Sequence, residues 1–115
     1  MKVSLFTTAF LIALPFTDAW SLKIYDKERY KVKIHDRSGT LSQPCKNLGK
    51  NVNKAQSMQW DHRNLATNCR IRLYDSGDCS GSPLGDSNYA SWNLPAFSAK
   101  AKNKVNSYKI NCRAN

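Results

Sequence analysis

Carboxylates and imidazoles of the kind that catalysis uses are scarce in this sequence. Glu28 is the only glutamate, and His35 and His62 are the only histidines. General acid–base catalysis and metal binding both depend on such side chains, so few combinations of residues could support either. The sequence also contains no P-loop, HExxH, GxGxxG or Gly-x-Ser-x-Gly motif. We therefore expect a protein that is not an enzyme and has neither a cofactor nor a bound metal.

Long apolar runs are missing after residue 19, which argues against a transmembrane segment. The N-terminus is different. Lys2 precedes the apolar stretch 5–14, Pro15 interrupts it, and Thr17-Asp18-Ala19 ends in a small residue. This order is typical of a signal peptide that is cleaved after Ala19. We expect residues 1–19 to be removed and residues 20–115 to form a single secreted, extracellular domain.

Metal-binding cysteine motifs are also missing, although the sequence has four cysteines. No two of them form a CxxC pair, and two histidines are too few for a convincing zinc site. Export favours oxidation, so the sequence predicts two disulfides, for which three connectivities are possible. The cysteines are Cys45, Cys69, Cys79 and Cys112.

Short alternating segments replace the amphipathic helices that the sequence lacks. Residues 30–34, 69–74 and 107–112 alternate apolar side chains with lysine, arginine or asparagine. Such alternation predicts antiparallel strands with one buried face. Glycine- and aspartate-containing turns separate the segments, for example at 36–39 and 75–78. The expected fold class is all-β, a sandwich or barrel.

An internal repeat divides the chain into two units. Asn53, Lys54 and Ser57 recur at the same spacing as Asn103, Lys104 and Ser107, an offset of 50 residues. Residues 24–30 match 73–79 at an offset of 49, and each segment opens with an apolar residue, Tyr and Asp. The two matches agree within one residue, which predicts duplicated units at about 21–61 and 69–112.

These residues resemble the βγ-crystallin family, whose domains pair two Greek-key motifs in a sandwich. Each family motif has Tyr/Phe-x4-Tyr/Phe/Trp-x-Gly at its first hairpin and a serine that opens its last strand. The first unit supplies both aromatics but has Val32 in place of the glycine, whereas the second has Cys79 in place of the second aromatic. The residues to which the resemblance gives structural roles are Tyr25, Tyr30, Ser57, Tyr74, Gly81 and Ser107.

The departures from the family pattern lead to further expectations. Val32 implies a more open first hairpin, because glycine suits a sharp fold, and Cys79 could replace aromatic packing with a covalent link. If the last strand of the resembled fold runs antiparallel to residues 69–74, Cys69 lies opposite Cys112. The resemblance then favours Cys69–Cys112, which leaves Cys45–Cys79.

Many microbial members of this family bind calcium through (Asn/Asp)-(Asn/Asp)-x-x-(Ser/Thr)-Ser. The corresponding segments here are 52–57 and 102–107, in which only the second asparagine and the final serine match. Lys102 and Val52 stand at the leading position, where an oxygen ligand is needed. We expect a structural turn at each segment and no tight calcium binding.

Charge is the remaining functional signal, since 18 basic residues against 8 acidic ones give a net charge of +10. A chain so basic is expected to bind anionic surfaces, and the resemblance to secreted killer toxins and effectors of this fold implies action on other cells. The expected partner is an anionic cell surface or a host or competitor protein, nucleic acid being possible, and the protein is expected to be a monomer. The lysines chosen for this contact are Lys50, Lys54, Lys102 and Lys104.

Two alternatives remain open. A secreted ribonuclease-like protein that binds RNA would use His35 or His62 as general acid and base. A purely structural or host-interaction module would leave the lysines as ordinary solvated side chains on strand faces.

Overall fold

The structure is a computed structural model that describes residues 18–115, so most of the predicted signal peptide lies outside the described residues. The all-β prediction is confirmed. Residues 18–115 contain no helix with the length and hydropathy of a membrane-spanning segment. The strands are β1 (Trp20–Lys27), β2 (Lys31–Gly39), β3 (Gln43–Asn47), β4 (Ser57–Asp61), β5 (Thr67–Tyr74), β6 (Pro83–Asp86), β7 (Trp92–Leu94) and β8 (Ser107–Ala114).

The eight strands form two four-stranded sheets. Each sheet contains three strands of one unit and one strand of the other. Sheet A has the order β2-β1-β4-β7, and sheet B has the order β3-β8-β5-β6. β3, the third strand of the first unit, therefore pairs with the last strand of the second unit, and β7 pairs with β4 in return. Because each unit completes the other's sheet, neither has its full set of backbone hydrogen bonds alone.

The core lies between the sheets and follows from the alternation in the sequence. Leu22 and Ile24 of β1 and Ile71 and Leu73 of β5 are at most 2% exposed. Trp60 stacks on Trp20, with 6.0 Å between ring centroids. The residues between these point away from the core, which leaves two polar outer faces.

Backbone hydrogen bonds reveal the duplication as an approximate two-fold relation. The Asn53 N–H donates to the Val105 carbonyl (3.0 Å), and the Asn103 N–H donates to the Ala55 carbonyl (2.9 Å). Residue 53 thus bonds residue 105, and residue 103 bonds residue 55. The second bond repeats the first with the two units interchanged, at the offset of 50 found in the sequence. The turns 52–56 and 102–106 therefore lie side by side at one end of the domain, here called the turn end.

Two buried serines form hydrogen bonds to the hairpins β1–β2 and β5–β6. The Ser57 hydroxyl donates to the Lys27 carbonyl (2.7 Å) and accepts from the Tyr30 N–H (3.1 Å). Ser107 does the same in the second unit, donating to the Ser76 carbonyl (2.6 Å) and accepting from the Cys79 N–H (2.9 Å). Tyr30 packs edge-on against Tyr25, the aromatic pair of the first hairpin.

The expectation of a more open first hairpin is wrong. Val32 has φ +59°, in the left-handed region that Gly81 also occupies at +79°. Arg29 and Tyr30 likewise match Asp78 and Cys79, all with φ between +53° and +61°. Ser57 closes the first hairpin through Lys27 and Tyr30 as Ser107 closes the second through Ser76 and Cys79, and the two hairpins have the same backbone conformation.

The disulfide connectivity agrees with the one that the resemblance favoured. Cys69–Cys112 joins the central strands of sheet B, where the two residues lie opposite each other. Cys45–Cys79 joins the exchanged strand β3 to the hairpin of the other unit. The second bond therefore replaces an aromatic contact inside one unit with a covalent link between the two.

Candidate binding surfaces

The four predicted lysines all lie on exposed segments, and the structure brings two of them together. Lys54 follows Asn53 and Lys104 follows Asn103, so the reciprocal hydrogen bonds place them on adjacent turns at the turn end. Both are exposed, and neither forms an ion pair within residues 18–115. Two uncompensated ammonium groups on neighbouring turns make this end an attractive contact for an anion.

The other two predicted lysines differ from this pair. The Lys102 ammonium lies 3.5 Å from the Glu28 carboxylate of the first hairpin, so its charge is partly compensated. Lys50 lies in the short 3-10 helix Gly49–Asn51 that leads into the turn at Val52. Lys50 is also exposed and has no ion pair among residues 18–115, so only its position outside the paired turns distinguishes it from Lys54 and Lys104.

The same turns show why the calcium pattern does not fit. Lys102 places an ammonium group beside Glu28, and Val52 has only hydrocarbon at the equivalent position. Asn106, where the pattern has a hydroxyl, donates its amide N–H to the Asp75 carbonyl (2.5 Å). Calcium prefers several oxygen ligands with negative charge, so these residues disagree with the calcium site implied by the family pattern.

A basic cluster on the outer face of sheet B was missed by the sequence analysis. Asp86 of β6 accepts hydrogen bonds from the Arg70 and Arg72 guanidinium groups and from the Asn88 N–H. Burial raises the pKa of Asp86, but the combined hydrogen bonds and the positive charge of Arg70 outweigh burial and lower that pKa to about 2. The guanidinium of Arg113 lies 3.7 Å from the centroid of the Tyr89 ring.

The sequence shows that Arg70 and Arg72 alternate with apolar residues, but it does not show which acidic residue binds them. Asp86 lies on another strand, and only the pairing of β5 with β6 brings it opposite Arg72. Asp86 supplies one negative charge against the two positive charges of Arg70 and Arg72, so the cluster keeps a net positive charge. The ion pairs also join the edge strand β6 to β5.

The two histidines are held apart by different partners. His35 Nε2 lies 2.8 Å from the hydroxyl of Tyr108, near the start of β8. His62 Nδ1 lies 2.9 Å from Asn68 Oδ1 on β5, and Asn68 pairs with Arg113 near the end of β8. His35 thus contacts the start of β8, whereas His62 lies near its other end. This separation gives no support to an acid–base site that uses both histidines.

His35 and Tyr108 instead form a polar link between the sheets. Burial lowers the pKa of His35, and the positive charges of Arg37 and Lys46 lower it further. Burial also raises the pKa of Tyr108 to about 12. Both effects favour the uncharged forms of the two side chains.

Comparison with known proteins supports the fold and nothing finer. No protein-family model and no curated protein matches the sequence. A βγ-crystallin domain from Clostridium beijerinckii is similar in structure, with a TM-score of 0.54 and 17% identity over 79% of this chain and 97% of that one. A βγ-crystallin domain from Flavobacterium johnsoniae gives 0.51 and 16% over 82% and 94%. This chain therefore has the βγ-crystallin fold, with two disulfides.

Proposed function

We propose that this protein is a secreted, non-catalytic binding protein that attaches to anionic cell-envelope surfaces through Lys54 and Lys104. The observation that carries the proposal is the reciprocal pairing of Asn53 with Val105 and of Asn103 with Ala55, which places both exposed lysines at the turn end. The net charge of +10 supports it, because long-range attraction steers a basic protein toward an anionic surface.

A role as a toxin or effector follows from the same proposal. Attachment to a competitor or host cell is the first step of such a role, and the resemblance to secreted proteins of this fold supports it. The two disulfides are compatible with an extracellular location.

The test is the binding of the oxidised protein to intact yeast and bacterial cells across a salt series, with growth scored at each point. We expect binding that weakens as salt rises, because screening shortens the range of attraction between exposed charges. Lys54→Glu/Lys104→Glu is expected to reduce binding at least about tenfold at low salt, since it reverses both charges at the proposed contact.

The matched control is Arg63→Glu/Arg113→Glu, which changes the net charge by the same amount at exposed positions beside Asn68, at the opposite end of β8 from the turn end. If the control weakens binding as much as the turn-end variant, net charge and not this site is responsible. The absence of both binding and growth inhibition would exclude the proposed role. Cleavage of RNA that is lost in His35→Gln or His62→Gln would support the ribonuclease alternative instead.

A further inference from the structure

The outer face of sheet A contains a polar hollow that the proposed attachment does not use. Its volume is about 310 Å³, and short or unbranched polar side chains surround it. Trp60 contributes to the floor, but it is 1% exposed and offers no open aromatic surface. The polar residues that line the hollow are Ser21, Lys23, Gln59, Asp61, Ser91 and Asn93.

The strand register explains why these side chains meet. Ser21 lies opposite Asp61, and Gln59 lies between Lys23 on one side and Asn93 on the other. Their neighbours Leu22, Met58 and Trp60 are buried. Because side chains alternate along a strand, the polar residues between them all point to the outer face.

Several of these groups have hydrogen-bonding capacity that the fold leaves unused. The side chains of Asp61, Ser91 and Asn93 form no hydrogen bond or ion pair with any other residue of the described part of the chain. Gln59 is different, since its Oε1 accepts the Tyr25 hydroxyl (2.7 Å). That contact fixes the amide and leaves its N–H groups free to donate.

The equivalent face of the second unit shows that the hollow is not a general consequence of the fold. At the offsets of the repeat, Ser21 and Lys23 correspond to Arg70 and Arg72, and Gln59 corresponds to Lys109. Sheet B therefore has long side chains, Arg70 and Lys109, where sheet A has a serine and an amide. Both arginines also form hydrogen bonds to Asp86. The two units have diverged at the positions that line the hollow.

We propose that this hollow binds a neutral saccharide unit of a polysaccharide. Sugar hydroxyls both donate and accept, and the hollow offers donors and acceptors: the Lys23 ammonium, the Gln59 and Asn93 amides, and the Asp61 carboxylate. Lys23 and Asp61 balance in charge, and the carboxylate disfavours a phosphate or sulfate group. The proposal does not depend on the turn-end lysines.

The experiment is an NMR titration of the isotopically labelled, oxidised protein with four neutral tetrasaccharides: chitotetraose, laminaritetraose, cellotetraose and mannotetraose. We expect saturable shifts of the Lys23, Gln59 and Asn93 amides with at least one of them. Asn93→Ala is expected to weaken that binding about fivefold, the effect of losing one hydrogen bond.

Asn111→Ala is the matched control, because Asn111 is the equivalent of Asp61 on the outer face of sheet B. It should leave saccharide binding unchanged, as should Lys54→Glu/Lys104→Glu, which separates this site from the turn end. The absence of saturable shifts with all four sugars would overturn the proposal. So would shifts confined to sheet B, or equal losses in Asn93→Ala and Asn111→Ala.

Discussion

Val32 and Gly81 have the same left-handed backbone conformation at equivalent places in the two hairpins, with φ +59° and +79°. Glycine adopts this conformation without steric cost, whereas a β-branched side chain does not. Val32 is also 56% exposed, so its side chain contributes little packing in return. The first hairpin therefore contains strain that the second avoids.

Val32→Gly is expected to raise the free energy of unfolding by about 1 kcal/mol, since relief of strain outweighs the added freedom of the unfolded chain. Urea denaturation measures the change. Val52→Gly is the control, because Val52 has φ −63° and should lose stability on the same substitution. A loss of stability in both variants would show that the left-handed conformation costs nothing at position 32.

Ser57→Ala and Ser107→Ala are each expected to lower the free energy of unfolding by about 2 kcal/mol. Each hydroxyl is fully buried, and its removal leaves one backbone N–H and one carbonyl without a partner. Thermal or urea unfolding would measure the cost. Ser38→Ala, on an exposed position of β2, should be nearly neutral; comparable losses at all three serines would contradict this account.

Cys45→Ser/Cys79→Ser is expected to cost about 2–4 kcal/mol, the usual contribution of a disulfide. Because this bond joins the exchanged strand β3 to the opposite hairpin, the amides of β3 should lose protection from hydrogen exchange more than those of β1. Cys69→Ser/Cys112→Ser provides the comparison, since that bond lies within the second unit. Equal loss of β3 protection in both variants would argue against a specific link.

As the pH decreases below about 6.5, the free energy of unfolding is expected to decrease because of His35. Its pKa is lower in the folded state than the ordinary value of 6.5, so the unfolded chain takes up the proton first. The stabilisation is complete above pH 6.5 and is lost as the pH falls through the folded-state pKa. Urea unfolding at several pH values between 8 and 5 measures the slope.

His35→Gln should flatten that slope, whereas His62→Gln retains His35 and should keep it. A slope unchanged in His35→Gln would mean that another group controls stability in this range. Carboxylates such as Asp86, whose pKa is about 2, lose their contribution only at lower pH.

Much of the fold could be predicted from local patterns in the sequence. Alternation in 69–74 and 107–112 indicated two strands, and the repeated asparagine, lysine and serine residues indicated duplication. The alternation is local, because a strand's buried face follows from side chains two residues apart, whereas the duplication is a comparison of two segments of the same sequence. Resemblance to a known family then supplied the disulfide pairing.

The candidate sites were less predictable, because their partners are distant in sequence. Lys54 and Lys104 could be chosen from the repeat, but their adjacency depends on hydrogen bonds between the two units. Nothing local distinguishes Lys102, which pairs with Glu28, from Lys104, which has no such partner among residues 18–115. The polar hollow required the pairing of β1, β4 and β7, whose residues are far apart in the chain.

The strand pattern, the basic charge and the duplicated units follow directly from the order of residues in the chain. The conformation of Val32 and the partner of each charged side chain depend on contacts between distant segments. The hairpin that contains Val32 is closed by Ser57, 25 residues further along the chain, through Lys27 and Tyr30. In the same way, Asp86 bonds two arginines whereas the Asp61 carboxylate has no hydrogen bond or ion pair among residues 18–115, because pairing across strands decides which groups meet.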